Sequence, residues 1–334
     1  MKIGNNYFIL FQNCIPTKGI SRSIIADYQR GTHYFIPNGL YDLIGDFRLL
    51  TTNQIVEKYF DQGLTQEMFL EYLEYLEENE LGHYTDTPDS FPLIEEVFET
   101  PSLIHDAIIE WSDYHKSHLS QLIKQINDVG CKFLEIRSFS GGYTSDFEEF
   151  VKLMRSTKIR GVVIYCNYID NDLQDLENLV HEFQIITNLF LHSCNVDPIT
   201  ISAKPEIVIT KTVLTNNNCC GYLGKEFNVN LPHYLESRNF NPCLNKKFSI
   251  DEKGMIKNCP SISANSMQTY IERSIIDQIK DASFQQIWKT TKDQIDVCMH
   301  CEFRYICGDC RSGVGISQKP RHCKYNPLIM SYEN

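Results

Sequence analysis

Apolar residues recur along this chain in two rhythms, and where one gives way to the other the chain divides. In the first region, residues 1 to 90, the stretches Tyr7 to Cys14 and Ser21 to Tyr28 are rich in Ile and Phe and predict two strands separated by the turn signal of Pro16 and Gly19. Pro37-Asn38-Gly39 then breaks the chain before a short segment, Leu40 to Ile44. Thr52 to Phe60 opens with Thr/Asn capping chemistry, and Thr65 can cap a helix over Gln66 to Glu80. In that helix Phe69, Tyr72, Leu73 and Leu76 share one face, while six glutamates line the rest and read as a solvated surface.

From residue 95 to 215 short apolar runs alternate with helical patterns. Leu103 to Trp111, Lys132 to Phe139, Gly161 to Tyr168, Ile186 to Ser193 and Glu206 to Thr212 predict strands, with helices over 114–128, 145–157 and 171–184. Runs this apolar, separated by single helices, imply parallel βα units, so the fold class expected is α/β with an open or partial barrel. Cys131, Cys166 and Cys194 sit at such strands and read as small buried hydrophobes.

Composition adds compartment and chemistry. A formal charge of −12 argues against broad nucleic-acid binding. Near the N-terminus only Phe8 to Phe11 run apolar, too short for a signal peptide, and no stretch approaches the roughly 18 apolar residues of a membrane span. The expectation is a cytoplasmic protein without a membrane partner, in which clustered thiols stay reduced and read as metal ligands. Of 13 cysteines, Cys219, Cys220, Cys243, Cys259, Cys298, Cys301, Cys307, Cys310 and Cys323 crowd into the last third, residues 216 to 334.

The spacing of these thiols is informative. Cys243 and Cys259 bracket FSIDEKGMIKN, a hairpin pattern that would bring its two ends together. Cys298-Met-His-Cys301 and Cys307-Gly-Asp-Cys310 are two CxxC turns, each able to offer two sulfurs to one centre, and Cys323 follows. With Cys219 or Cys220 the set reaches eight thiolates, enough for two four-ligand sites. Thiolate shells suit zinc or iron–sulfur clusters, and spacing alone does not separate them. His300 and His322 flank ligands and read as exposed bystanders. His115 and His118, at i and i+3, could share a metal but read more simply as surface residues.

The pattern C-x10-G-x4-C, then C-x2-C-x5-C-x2-C and a last Cys resembles the SPASM domain of radical SAM peptide maturases, over about residues 216 to 327. It departs in one place, with two residues rather than three before Cys310. The wording CLNKKFSIDEKGMIKNCPS, CEFRYICGDCR and KPRHCKYNP is similar to the SPASM maturase of grasp-with-spasm systems. That resemblance implies two [4Fe–4S] clusters, two zinc ions being the alternative. One cluster would take Cys243, Cys259 and Cys310 with Cys220 in preference to Cys219, the other Cys298, Cys301, Cys307 and Cys323. It also implies a ribosomally made precursor peptide and an ATP-grasp ligase as partners. The N-terminal region resembles a PqqD-like, winged-helix-type peptide-recognition domain, which would bind peptide at a sheet edge.

One element of the resembled family is missing. No CxxxCxxC occurs, and no cysteine lies between Cys14 and Cys131; after the second predicted strand of the middle region, Ser140-Gly141-Gly142-Tyr143 has Tyr where those proteins carry Glu. The middle region is therefore expected to be radical-SAM-like without binding S-adenosylmethionine. The function expected is an accessory maturation protein acting on a precursor peptide. A redox enzyme using its clusters on the peptide and a zinc-stabilised peptide-binding module are the alternatives, and whether the chain is itself an enzyme stays open.

Overall fold

The computed structural model describes residues 3–333 apart from 140–143, 170–173, 175–177, 179–180, 196–198, 202–205, 217, 219–226, 264–267 and 316. The first predicted strand is two: β1 (Tyr7–Leu10) and β2 (Cys14–Thr17). A turn closed by the Cys14 amide on the Phe11 carbonyl, 2.9 Å, separates them. β2 pairs with β3 (Ser23–Asp27), which pairs with β4 (Thr32–Ile36), all antiparallel. Pro16 lies in β2, at the edge of this sheet, where a missing N–H costs no ladder bond.

Three helices follow: α1 (Asn38–Ile44), α2 (Thr52–Tyr59) and α3 (Gln66–Glu78). The caps are as expected. Thr51 and Gln54 form a capping box, and the Thr65 hydroxyl accepts from the Met68 amide. On α3, Phe69, Leu73 and Leu76 are fully buried while its five glutamates, and Glu80 just beyond its end, face solvent. β5 (Gly82–Thr85) returns to pair with β1.

The middle region runs β6 (Asp106–Glu110), α4 (Asp113–Ser117), α5 (Leu119–Asp128), β7 (Phe133–Ser138), α6 (Thr144–Met154), β8 (Gly161–Asn167), β9 (Ile186–His192), β10 (Ile199–Ile201) and β11 (Glu206–Ile209). All five predicted strands of this region form, and they pair in parallel in the order β11-β9-β8-β7-β6. The predicted helix 114–128 breaks into α4 and α5, and most of 171–184 lies outside the described residues.

Beyond residue 216 come α7 (Leu231–Asn239), β12 (Lys247–Ile250), β13 (Ile256–Lys257), α8 (Ile275–Ile279), α9 (Ala282–Gln285), β14 (Tyr325–Asn326) and β15 (Ser331–Tyr332). The hairpin expected between Cys243 and Cys259 is β12–β13, with Gly254 at φ +86° in its turn. β12 adds in parallel to β6, so one open sheet of eight strands runs from β10 to β13 and joins the middle region to the C-terminal one.

Register gives this sheet two unlike faces. Ala107, Ile109, Leu134, Ile136, Val162, Ile164, Leu189 and Leu191 are buried on one face, in a core that also holds Leu122 and Ile126 of α5 and Phe150 and Met154 of α6. Each such Val, Leu, Ile, Phe or Met side chain contributes about 1.5–3 kcal/mol of burial. The other face carries Ile108, Glu135, Val163, Tyr165 and Phe190, all half-buried. No helix among the described residues is long and apolar enough to cross a membrane.

Candidate functional site

The stretch from Cys298 to Cys307 is built of consecutive tight turns. The Cys301 amide donates to the Cys298 carbonyl at 3.0 Å, and the Cys307 amide to the Phe303 carbonyl at 3.0 Å. Cys323 is turned in by its own amide on the Pro320 carbonyl, 3.0 Å. Cys301, Cys307 and Cys323 pack against one core cluster with Phe303, Tyr305, Ile306 and Tyr325. Burial pushes the Cys298 thiol up to about 12; Lys292 opposes this, and Asp309, Cys323 and Cys307 add to it. Cys301 and Cys307 are raised chiefly by burial, and each also feels neighbouring thiols. Cys298, Cys301 and Cys307 thus sit within electrostatic reach of neighbouring thiols in a place where burial disfavours their thiolates. A bound cation reverses that preference.

The other expected ligand set is arranged differently. Cys243 is exposed, Cys259 is half-buried against the main core, and Cys310 is buried. Asn241 links two of them: its Oδ1 accepts from the Cys243 amide at 2.9 Å, and its Nδ2 donates at 2.8 Å to Asp309, the neighbour of Cys310. Cys219 and Cys220 lie outside the described residues. Among the described residues no three His, Cys, Asp or Glu side chains are gathered tightly enough to share a metal ion. The donor types fit zinc or iron–sulfur chemistry; the side chains do not form a closed shell.

The thiol-bearing loop is clamped by the N-terminal region. Ile20, in the turn between β2 and β3, donates its amide to the His300 carbonyl at 2.9 Å, and Arg304 donates to the Lys18 carbonyl. Arg22 Nε meets the buried Glu302 carboxylate at 2.8 Å, and Tyr325 donates to the same oxygen. The Arg22 guanidinium also lies 3.7 Å over the Phe35 ring. Gly19 permits this approach, because a Cβ there would stand 2.9 Å from Cβ of Glu302 and 2.3 Å from the Arg22 carbonyl.

A second polar group occupies the half-buried face of the large sheet at its C-terminal strand ends, the side on which open α/β sheets commonly take ligands. Arg137, almost fully buried, donates from Nε to Glu135 at 2.6 Å and from Nη1 to Asn216 at 3.3 Å. Asn216 donates to Glu110, whose carboxyl is raised by burial against the pull of Lys257. His192 is buried, its value lowered by burial, with Nδ1 at 2.9 Å from the Ser193 hydroxyl. Tyr165 and Phe190 stack beside them, centroids 4.6 Å apart. Reading the sequence missed this group, although charged residues inside otherwise apolar strands (Glu110, Glu135, Arg137) were a usable signal.

His115 corrects an expectation. It is fully buried rather than on the surface, with Nε2 at 3.0 Å from the Asp251 carbonyl and Nδ1 at 3.3 Å from the Tyr270 hydroxyl. Both ring nitrogens are occupied, so it ties α4 to the β12–β13 turn and has none to share with His118 over a metal. His300 is exposed, as expected, and His322 half-buried. Cys131, Cys166 and Cys194 are all buried beside the sheet. Ser140 to Tyr143 lie outside the described residues.

Fold and site together define an α/β protein with a mostly parallel sheet and a thiol-rich C-terminal region. No protein-family model matches the chain, and no curated protein matches it. Among solved structures, it is similar to Streptococcus suis SuiB at 10% identity, with 94% of this chain and 95% of that one covered and a TM-score of 0.33. SuiB bound to S-adenosylmethionine gives 11%, 92%, 95% and 0.30, and SuiB bound to its precursor peptide SuiA gives 9%, 92%, 95% and 0.31. Likeness at this level fixes neither fold nor activity for this chain.

Proposed function

We propose that this chain is an accessory maturation protein for a ribosomally made, post-translationally modified peptide. In this reading it binds the precursor and acts with an ATP-grasp ligase. Its C-terminal region holds two [4Fe–4S] clusters, one on Cys298, Cys301, Cys307 and Cys323 and the other on Cys243, Cys259 and Cys310 with Cys220. The observation that supports it most is that Cys298, Cys301, Cys307 and Cys323, at the spacing of the resembled domain, lie about one aromatic core, where burial disfavours the thiolates of the first three unless a cation is bound. When bound, a metal centre would cross-link the turns of this region and supply a site for electron transfer. The chain's own residues do the rest: Phe303 and Tyr325 shield the thiols from water, and Lys292, donating to the Cys307 carbonyl, offsets negative charge among them.

The test is anaerobic purification followed by iron, sulfide and zinc analysis and visible absorption. About eight irons per chain are expected; colourless protein with two zincs would replace the clusters by the zinc alternative. Incubation with S-adenosylmethionine and a reductant is expected to yield no 5′-deoxyadenosine, because the chain carries no CxxxCxxC. Co-purification with a precursor peptide and an ATP-grasp protein encoded beside it tests the partner assignment, and absence of any complex counts against it.

A further inference from the structure

A cavity of about 410 Å³ opens at the N-terminal strand ends of the large sheet, the end away from the Arg137 group, and falls within the size range of small-ligand sites. Asp106, Phe133 and Lys247, the first residues of β6, β7 and β12, line it together with Glu236 of α7, Asn245, His105 and Phe98. Two carboxylates against one ammonium leave this lining with one negative charge in excess.

The pairing of these groups shows which charge is left over. Lys247 Nζ lies 3.5 Å from Asp106 Oδ2 and donates at 3.4 Å to the Pro242 carbonyl, so those two charges answer each other. His105, with Nε2 at 2.8 Å from the Thr100 hydroxyl, is kept neutral at pH 7 by burial. Glu236 remains. Its Oε1 accepts from Asn245 Nδ2 at 2.9 Å, and its Oε2 accepts nothing among the described residues. Burial raises this carboxyl against the pull of Asn245 and Lys247, as expected of a carboxylate short of positive charge. Asn245 is almost fully buried, and with Nδ2 committed to the carboxylate its Oδ1 is the free end, also without a donor. Neither free oxygen is among the polar atoms sealed from water in the core, so a ligand can reach both. The missing charge is not that of a metal ion, because no three His, Cys, Asp or Glu side chains gather tightly enough among the described residues to hold one. Phe98 and the half-exposed Phe133 add ring surface, which suits an organic cation on an alkyl stem.

We propose that this cavity binds the primary ammonium group of a lysine side chain presented by a peptide, held by Glu236 Oε2 and Asn245 Oδ1 with its methylenes against Phe98 and Phe133. A guanidinium fork is best met by both oxygens of a carboxylate, and one of Glu236 is already engaged, so the compact ammonium fits better. That the lysine belongs to a peptide rests on the function proposed above; the charge chemistry does not.

The experiment titrates the full-length protein with N-acetyl-lysinamide, N-acetyl-argininamide and N-acetyl-norleucinamide, the last having the lysine stem without its charge, by calorimetry or ligand-observed NMR. Saturable binding of the lysine compound is expected, about tenfold tighter than that of the norleucine compound, the factor that one hydrogen bond to a charged group supplies. The arginine compound should bind more weakly than the lysine one. Glu236→Gln keeps an acceptor for Asn245 and removes the charge, so it should bring lysine down to the norleucine level. Lys247→Met removes a like charge from the cavity and should tighten lysine binding severalfold. Unchanged thermal melting would show that each variant is folded, and if one is not, the other carries the test. No saturation, equal binding of lysine and norleucine, arginine binding as tightly as lysine, a lysine preference that survives Glu236→Gln, or no tightening in Lys247→Met would overturn the inference. If the lysine probe binds as stated and no precursor does, the functional proposal fails and this site stands. If a precursor binds and the probe does not, the reverse holds.

Discussion

The eight-stranded sheet and the thiol-bearing loops solve the same problem with different materials. The sheet buries aliphatic side chains, such as Ile109, Ile136, Ile164 and Leu189, between regular elements that satisfy their own backbone. Among the described residues, the region from Cys298 to Tyr332 has only the two-residue strands β14 and β15 and short turns, and its core is mostly aromatic: Phe303, Tyr305 and Tyr325. It also borrows. Ile24, Ala26 and Tyr28 of the N-terminal β3 and Tyr234 of α7 belong to the same cluster. A region poor in regular structure thus reaches a packed state by recruiting surfaces from far along the chain, whereas the strands β6 to β9 of the sheet draw on neighbouring βα units, with β12 the one distant strand added beside β6.

That contrast can be broken in three ways. The largest effect is expected in the sheet: Ile136→Ala, at a fully buried position, should cost about 2–5 kcal/mol in urea unfolding. A loss under about 1 kcal/mol would mean that the aliphatic core is not where stability sits. Glu302→Ala should cost about 1.5–3 kcal/mol, because it strips a buried acceptor from Arg22 and Tyr325. Its signature is faster amide exchange in β2, β3 and residues 298–307 together, with β7 and β8 still protected. Faster exchange in 298–307 alone would show that the two regions are independent.

The smallest effect concerns pH. Burial, reinforced by Lys292, lowers His233 of α7 from 6.5 to about 4. The unfolded chain accepts a proton near 6.5 that the folded chain refuses, so the full stabilisation is present above that pH. It declines as pH falls toward 4. Urea midpoints measured against pH should fall less steeply for His233→Gln than for the native chain, and parallel slopes would remove His233 as the source.

How much of this was legible in the sequence depends on how local each cause is. The parallel strands showed as apolar runs because both of their faces lie away from bulk water, and Thr51 and Thr65 marked helix starts because a cap acts within three residues. β4 and β5 were missed: THYFI and GHYT carry little periodicity, and their pairing with β3 and β1 decides their state. β12 could be read as half of a hairpin but not as a partner of β6. The burial of His115 depends on a carbonyl 136 residues away. In the candidate site the CxxC spacing announced the thiols, yet nothing near Cys298 announced that Arg22 and Gly19 would cover its loop.

The clamp between the β2–β3 turn and the thiol-bearing loop also sets an order in time. Arg22 and Glu302 are 280 residues apart. At ordinary rates of synthesis, tens of seconds pass between their emergence from the ribosome. During that interval Ile24, Ala26 and Tyr28 wait without the aromatic cluster that later covers them, a sticky surface on a nascent chain. Any truncation before residue 300 would make the waiting permanent, and such fragments should be chaperone-bound or aggregated even though the strands that carry this surface are already complete.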